Sequence, residues 1–220
     1  MKALVCRFMH ATALVTTLAL VGCAANQQQV DYTAFRESHP ASILVLPPLN
    51  ETLEVQASNA VLAQATYPLA ESGYYVIPAA VMAETFHQNG LTTPADIQNV
   101  PAKKLRDIFG ADAALYMTVT SYGSSYAVFA STAKVAIDAT LVDLRSGAQL
   151  WSGRKELAES SNSGGGGIIG MLVSAVVSQI ANTLSDRSFR IAGGANTLLL
   201  SAGQPNGLLY GPRSPKYQSQ

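Results

Sequence analysis

The sequence is poor in charge, cysteine and histidine. Charged residues make up 13% of the 220 residues, and the 14 basic and 14 acidic side chains cancel. Soluble domains usually carry about 25% charge, and no basic excess exists here that could attract nucleic acid. The hydrophobic content of 48% excludes a disordered chain. Two cysteines and three histidines, without HExxH or His-x-His spacing, exclude a disulfide scaffold and predict no metal or other cofactor.

Motifs of common catalytic and nucleotide sites are missing as well. No Gly-x-Ser-x-Gly elbow of a serine hydrolase occurs. No Gly-Lys-Ser/Thr follows the glycine run at 164–167, which we interpret as a flexible hinge. The acidic residues of the central region, Asp107, Asp112 and Asp138, have no spacing that groups them as an acid–base pair. The sequence therefore predicts no catalytic residue and a protein that is not an enzyme.

The first 22 residues have the pattern of a bacterial lipoprotein signal peptide. Lys2 and Arg7 give a positive start, and the uncharged stretch 11–21 is too short to span a bilayer. Residues 20–23 (Leu-Val-Gly-Cys) resemble the lipobox, in which a cysteine thiol after a small residue accepts a diacylglycerol. We predict residues 1–22 to be the signal peptide and Cys23 to be the lipidation site. A plain secretory signal with an incidental cysteine is the alternative.

A lipid at Cys23 would anchor the protein in a membrane and so determine its cellular location. One acyl chain binds a membrane only marginally, whereas the several chains of a bacterial lipoprotein, palmitate among them, anchor it stably. Ala24 rather than Asp follows the cysteine, which in a bacterium with two membranes resembles the pattern that permits export to the outer membrane. We therefore expect a lipid-anchored outer-membrane protein whose body lies on the periplasmic face, with surface exposure as the alternative.

Composition divides the mature chain into three segments. Residues 23–41 begin with small and polar side chains and predict a lipidated tether, from which Tyr32 and Phe35 can dock on the body. Residues 42–200 carry the strand and helix patterns of a single α/β domain. Residues 201–220 are rich in proline and glycine and predict a tail.

The domain begins with alternating strands and helices. A short apolar run at 42–46 predicts a buried strand, and a helix follows from residues 50–54, with Thr52 as its N-cap and Val55 at the start of its apolar stripe. A second strand and a helix over Ala79–Gln88 continue the pattern. This β–α–β–α order favours parallel strand pairing in the first half.

The second half changes to a period of two. Residues 127–144 alternate along one long strand, and Gly147 closes a hairpin to a partner strand. We therefore predict a mixed α/β (α+β) sheet. After the Ser/Gly linker, helical spacing predicts a C-terminal helix, with a chain break at Gly193-Gly194. This helix either packs on the sheet or docks on a partner protein, through Ile169, Leu172, Val173, Val176 and Ile180.

Three stretches of the mature chain resemble a known family. They are Asp31–Phe35, Pro40–Asn50 and Leu208–Arg213, and the Ile-Leu-Val-Leu-Pro-Pro-Leu-Asn sequence within the second is the most specific. By these stretches the chain is similar, over nearly its whole mature length, to the GNA-type bacterial lipoproteins, typified by a meningococcal vaccine-antigen candidate. The resemblance implies an α/β fold like the N-terminal domain of TolB and kinship with CsgG-like lipoproteins of curli secretion. It implies no catalytic residues.

Two classes of function are compatible with these features. The leading hypothesis is a non-enzymatic accessory or assembly subunit of an envelope complex of the curli-secretion type. Its lipid would bind the membrane, and a sheet edge or helix face would bind a CsgG-like lipoprotein or another envelope protein. The alternative is an envelope hydrolase or a small-ligand carrier, which would need convergent carboxylates in a cleft or a large apolar cavity.

Overall fold

A computed structural model of the chain describes residues 30–127, 130–160 and 187–219. The predicted signal peptide, Cys23 and the segment 169–180 lie outside these residues. The described helices are α1 (Thr33–Ser38), α2 (Ala57–Glu71), α3 (Ala79–Gln88), α4 (Pro94–Gln98), α5 (Ala102–Phe109) and α6 (Arg187–Leu200). The described strands are β1 (Ser42–Val45), β2 (Leu49–Asn50), β3 (Tyr75–Val76), β4 (Ala113–Ala127), β5 (Ala130–Asp143) and β6 (Gln149–Ser160). These strands form one mixed sheet in the order β3-β1-β4-β5-β6, with β2 also paired to β4.

The parallel part of the sheet is short, and it is buried on both faces. β1 lies between β3 and β4 and runs parallel to both, with Ile43 opposite Val76 on one side and Ala113 on the other. Ile43, Leu44 and Val45 are all buried, as expected for a parallel strand that is covered from both sides. The predicted mixed α/β fold with a parallel first half is confirmed.

One face of the parallel strands packs against α3, α4 and α5. The Phe86 and Phe109 rings meet there in a tilted arrangement, with 5.2 Å between their centroids. The short helix α4 is absent from the sequence prediction, although Thr93 caps it by accepting a hydrogen bond from the Asp96 backbone nitrogen at 3.2 Å. The buried residues of this cluster are Leu44, Leu46, Met82, Phe86, Ile97, Leu105, Ala111, Ala114 and Leu144.

The opposite face packs against α2 and α6, which also contact each other. Gly193 and Gly194 lie inside α6, so the predicted chain break there is wrong. Glycine costs a helix about 1 kcal/mol relative to alanine, but a methyl group at Gly193 would collide with the Gln64 side chain of α2. The close approach lets Asn196 Nδ2 donate to the Val61 carbonyl oxygen at 2.9 Å. Tertiary packing therefore outweighs the local preference against helix.

The antiparallel part of the sheet is long and has one polar face. β4, β5 and β6 contain 15, 14 and 12 residues. Their outer face carries ion pairs between neighbouring strands, from Lys134 Nζ to Glu156 Oε1 at 2.9 Å and from Arg154 Nη1 to Asp138 Oδ2 at 3.1 Å. Burial alternates along most of β5, as its sequence period predicts, with four side chains almost fully buried: Val135, Ile137, Ala139 and Leu141. Ala136 is the exception, since it is also buried where the register of β4 and β5 shifts.

The segments on either side of the predicted domain, 31–41 and 201–219, pack against it. The Tyr32 hydroxyl donates to the Gly207 carbonyl oxygen at 2.5 Å, and Trp151 Nε1 donates to the Asn206 carbonyl oxygen at 2.9 Å. Phe35 is buried, so the expected docking of Tyr32 and Phe35 is seen. Among the described helices, none has the length and hydrophobicity needed to cross a bilayer.

Candidate functional site

The loop between β2 and α2 is a turn built by Asn50. The Asn50 Oδ1 atom accepts from the Thr52 backbone nitrogen at 3.0 Å and from its hydroxyl at 2.8 Å, and Asn50 Nδ2 donates to the Glu54 carbonyl oxygen at 2.9 Å. The predicted helix start at residues 50–54 with Thr52 as its cap is therefore wrong, and α2 begins at Ala57. Asparagine competes with helix by bonding its own neighbouring backbone, which holds these residues in a turn.

This turn exposes two apolar side chains. Leu53 is 101% exposed and Val55 is 88% exposed, so Val55 is not part of the buried helical stripe predicted for it. Burial of such a side chain is worth about 1.5–3 kcal/mol, and here that stabilisation is absent. A single exposed apolar residue is ordinary, but two of them two positions apart on a hydrogen-bonded turn form a small apolar knob. We call Leu53 and Val55 the apolar pair.

The apolar pair lies beside a strand edge. β2 ends at Asn50, opposite Val119 of β4, and the Glu51 backbone nitrogen then donates to the Val119 carbonyl oxygen at 3.0 Å. Among the described residues, β5 is the only strand that pairs with β4 beyond Val119. Gly123, at φ 133, faces the turn, since a Cβ atom there would lie 3.4 Å from Glu54 Cγ. A strand edge that no other described strand pairs with beyond Val119, next to an apolar contact, suits an added extended segment.

One buried carboxylate, Asp143, and one partly buried carboxylate, Asp112, lie at the other end of the sheet. Burial by itself would raise the pKa of Asp112, but hydrogen bonds from Ser42, Ala41 and Arg145 bring it below its ordinary value overall. The Ser42 hydroxyl donates at 2.9 Å and Arg145 Nη2 at 2.6 Å. Both oxygens of Asp112 are thus used to join the start of β4 to the start of β1 and to the hairpin that follows β5.

Asp143 is held in the same way. Burial again acts to raise its pKa, but the Ser38 hydroxyl, the Ser146 backbone and hydroxyl, and the Arg145 backbone nitrogen lower it overall. The Arg145 and Ser146 backbone nitrogens donate at 2.8 and 2.7 Å. These hydrogen bonds stabilise the ionised form of Asp143. They close the hairpin after β5 and link α1 to that hairpin.

The acids named from the sequence are not assembled into one site. Asp107 pairs with Lys103 at 2.9 Å, Asp112 with Arg145 at 2.6 Å, and Asp138 with Arg154. In the part of the chain that the structure describes, no group of three or more metal-ligating side chains occurs.

Comparison with known proteins places the chain in a family. A family model described as "Putative lipoprotein GNA1162-like" matches residues 30–213. The chain belongs to the GNA1162-like lipoprotein family. A curated protein of that family from Neisseria meningitidis serogroup B, "Putative lipoprotein NMB1124/NMB1162", is 52% identical over 201 residues, which cover 91% of this chain and 94% of that protein. The resemblance stated from the three sequence stretches is confirmed.

One solved structure shows the same family relation. The crystal structure of the lipoprotein GNA1162 from Neisseria meningitidis is 56% identical, with a TM-score of 0.57, and the match covers 66% of this chain and all of that one. The C-terminal domain of LpoB from Salmonella enterica matches at 22% identity and a TM-score of 0.39, over 53% of this chain and 82% of that domain. The match to GNA1162 by itself shows that this chain has the GNA1162-like fold.

None of the site residues predicted from the sequence belongs to the apolar pair. Cys23 and the predicted docking residues Ile169, Leu172, Val173, Val176 and Ile180 lie outside the described residues. The apolar pair was missed because Val55 has the right spacing for the stripe of α2. The signal that could have found it is the Asn50-Glu51-Thr52 sequence, which favours a turn before the helix.

Proposed function

We propose that this lipoprotein is a non-enzymatic accessory or assembly subunit of an envelope complex, anchored in the outer membrane with its body in the periplasm. The observation that supports partner binding is the exposed apolar pair at the point where β2 ends on β4. The partner would supply an extended segment that continues the sheet at β4 and covers Leu53 and Val55. Main-chain hydrogen bonds would give affinity, and the two side chains would give register.

The lipid at Cys23 supplies location in this proposal. Several acyl chains hold the body at the membrane, which raises the effective concentration of the protein for a partner in the same membrane. Mass spectrometry of the protein from its native host should find an N-terminal Cys23 that carries acyl chains. A chain with an unmodified Cys23, or one that retains residues 1–22, would contradict the anchor.

The apolar pair is tested by co-purification with a co-expressed CsgG-like lipoprotein, the partner class that the family resemblance implies. We expect the double variant Leu53→Ser, Val55→Ser to reduce recovery of the partner by about tenfold or more, because about 1.4 kcal/mol corresponds to a tenfold change in affinity. Val81→Ser is the matched control, since Val81 is 54% exposed and belongs to α3 rather than to the turn. Equal recovery with both variants would refute this surface.

The segment Ile169–Ile180 is a second proposed contact for the partner. Deletion of residues 164–184 should abolish co-purification while the fold is kept. Five residues would still connect β6 to α6, and the two ends lie close together, because Arg187 Nη2 donates to the Glu159 carbonyl oxygen at 3.2 Å. Circular dichroism of the deletion variant checks the fold. Unchanged partner recovery would count against the docking role of this segment.

A further inference from the structure

The turn that carries the apolar pair also carries two exposed carboxylates. Glu51 and Glu54 lie in water beside Leu53 and Val55. Among the residues that the structure describes, neither glutamate forms an ion pair with a lysine or arginine, and neither carboxylate accepts a hydrogen bond. Residues 51–55 therefore present two apolar and two acidic side chains together, all without a described partner of opposite charge or a covering group.

Hydrogen bonds hold the backbone of both glutamates in place. The Glu51 backbone nitrogen donates to the Val119 carbonyl oxygen of β4 at 3.0 Å. The Glu54 backbone nitrogen donates to the Thr52 hydroxyl at 3.2 Å, and its carbonyl oxygen accepts from the Ala57 backbone nitrogen at 3.0 Å. An ordered backbone loses little conformational entropy when a partner binds. The turn is thus suited to recognition by side chains.

The side chain of Glu54 lies against β4. A Cβ atom at Gly123 would be 3.4 Å from Glu54 Cγ and 3.6 Å from Glu54 Oε1. Gly123 follows Val119, in the part of β4 that pairs with neither β1 nor β2. Lys134 of β5 is opposite Gly123, but it forms its ion pair with Glu156 of β6. A charged side chain at a strand edge discourages pairing with unsuitable strands, so Glu54 can select among the segments that approach here.

The part of the sequence around this turn contains no lysine or arginine. None occurs between Arg36 and Lys103, a stretch that includes β1, β2, β3, α2, α3 and α4. β4, which lies beside the turn, has no charged residue. The acidic residues of the stretch between Arg36 and Lys103 are Glu37, Glu51, Glu54, Glu71, Glu84 and Asp96. A partner that brings cations would therefore complement the charge of the turn.

The same surface of a second copy would not complement this charge. In an isologous contact each copy presents the same patch, so Glu51 and Glu54 would face their own counterparts. Juxtaposed like charges suppress such a contact. Charge therefore favours a different chain, with basic side chains, over self-association through this turn.

We propose that the partner segment bound at this turn is extended and alternates apolar with basic side chains. The apolar side chains would cover Leu53 and Val55, and the basic ones would pair with Glu51 and Glu54. This inference rests on the proposed function, because it uses the same partner-binding surface and adds the charge of the partner. Exposed ion pairs contribute little affinity, but they choose between partners and speed the encounter.

Synthetic peptides test the charge of the segment. The probes are three dye-labelled peptides of about ten residues, the length of a long strand, in which valine alternates with lysine, with serine or with glutamate. Each is titrated with the full processed chain in a non-ionic detergent, and binding is followed by fluorescence anisotropy. At low ionic strength the lysine peptide should bind about tenfold more tightly than the serine peptide, and the glutamate peptide most weakly. High salt should reduce this preference through screening.

Three results would overturn the proposal. Equal binding of the three peptides would mean that the turn does not recognise charge. Tighter binding of the glutamate peptide would reverse the sign of the partner. No binding of any peptide would refute an extended segment as the occupant.

Charge-removing variants locate the binding. Glu51→Gln and Glu54→Gln should each weaken binding of the lysine peptide about threefold, and together about tenfold, because each removes one exposed ion pair. Binding of the serine peptide should not change. Glu71→Gln is the matched control, since Glu71 is exposed, has no ion pair among the described residues and ends α2, about 20 Å along the helix from Ala57. Equal weakening by Glu71→Gln would refute recognition at the turn.

Failure of this inference and failure of the proposed function can be told apart. Co-purification of the CsgG-like lipoprotein with the wild-type chain, and its loss in the variant Leu53→Ser, Val55→Ser, report on the proposed function. If partner recovery depends on the apolar pair but not on Glu51 or Glu54, the function stands and the basic segment is wrong. If the lysine peptide is preferred but no partner is recovered, the surface exists without the proposed assembly role.

Discussion

The two edges of the sheet are built differently. The β3 edge is two residues long, and the tail is hydrogen-bonded to the residues just before it, since the Gly211 and Arg213 backbone nitrogens donate to the Ser72 and Gly73 carbonyl oxygens at 2.8 and 3.1 Å. The antiparallel end has β6, of 12 residues, as its last described strand. The parallel half is buried on both faces and borders on the chain's own tail, whereas the antiparallel half keeps one solvated face, and its strand β4 extends beyond its parallel partners β1 and β2.

The contact between the tail and the residues before β3 depends on a glycine. Gly73 has a φ of 96, and a Cβ atom there would meet the Ser214 backbone nitrogen and lie 2.8 Å from the Gly211 carbonyl oxygen. We expect Gly73→Ala to destabilise the protein by about 3 kcal/mol, from overpacking against backbone together with left-handed strain. Chemical denaturation measures the change.

Gly90→Ala is the matched control, because Gly90 also has a positive φ, of 76, but open space around it. It should lose only the backbone strain, about 1–2 kcal/mol. Equal losses for the two variants would mean that the tail does not press against Gly73.

The junction between the two halves should be sensitive to acid. The folded-state pKa of Asp112 lies below its ordinary value of 3.8, so its ionised form stabilises the fold above that pH. The stabilisation is lost as the pH falls through the folded-state pKa. Asp112→Asn should cost about 2 kcal/mol at pH 7 through weakened charge-assisted hydrogen bonds, and it should flatten the acid limb of the stability curve.

Denaturation at pH 7 and pH 3 measures this effect. Asp107→Asn is the control, because its pair with Lys103 is exposed to solvent and should contribute less than about 1 kcal/mol. An Asp112→Asn variant with an unchanged acid limb would contradict the bridging role of Asp112.

The polar face of the antiparallel half should be the most tolerant region. Lys134 and Glu156 are both about half exposed, at 45% and 46%. We expect Lys134→Ala to change the free energy of unfolding by less than about 1 kcal/mol, and less still at high salt. A thermal melt at low and high ionic strength checks this. A loss above about 2 kcal/mol would show that this face is covered in the folded protein.

The sequence was most informative where local pattern and burial agree. The run Ile43–Val45 is apolar at every position because both faces of the parallel strand β1 are covered. Apolar and polar residues alternate over Val135–Leu141 because one face of β5 is exposed to solvent. The lipobox and the family stretches are also local, so they could be read without a structure. The helix over Ala79–Gln88 has the same bounds in the sequence prediction and the structure.

Prediction failed where a contact between distant residues, or a side-chain turn that competes with a helical period, decides the outcome. Gly193 predicts a break by propensity, yet α6 continues through it because Gln64 lies against it. The spacing of Val55 predicts a buried position, yet the hydrogen bonds of Asn50 hold it in an exposed turn. A cleft between α1 and the tail joins residues more than 160 positions apart, which no sequence period can indicate.

The sequence by itself determined the fold class, the family and the predicted lipid anchor, because periodicity, turn chemistry and a four-residue motif are all properties of neighbouring residues. Only the tertiary structure decided that the tail packs beside β3 and that α6 continues through Gly193. Those features arise from close approach between segments that the chain brings together only when it folds.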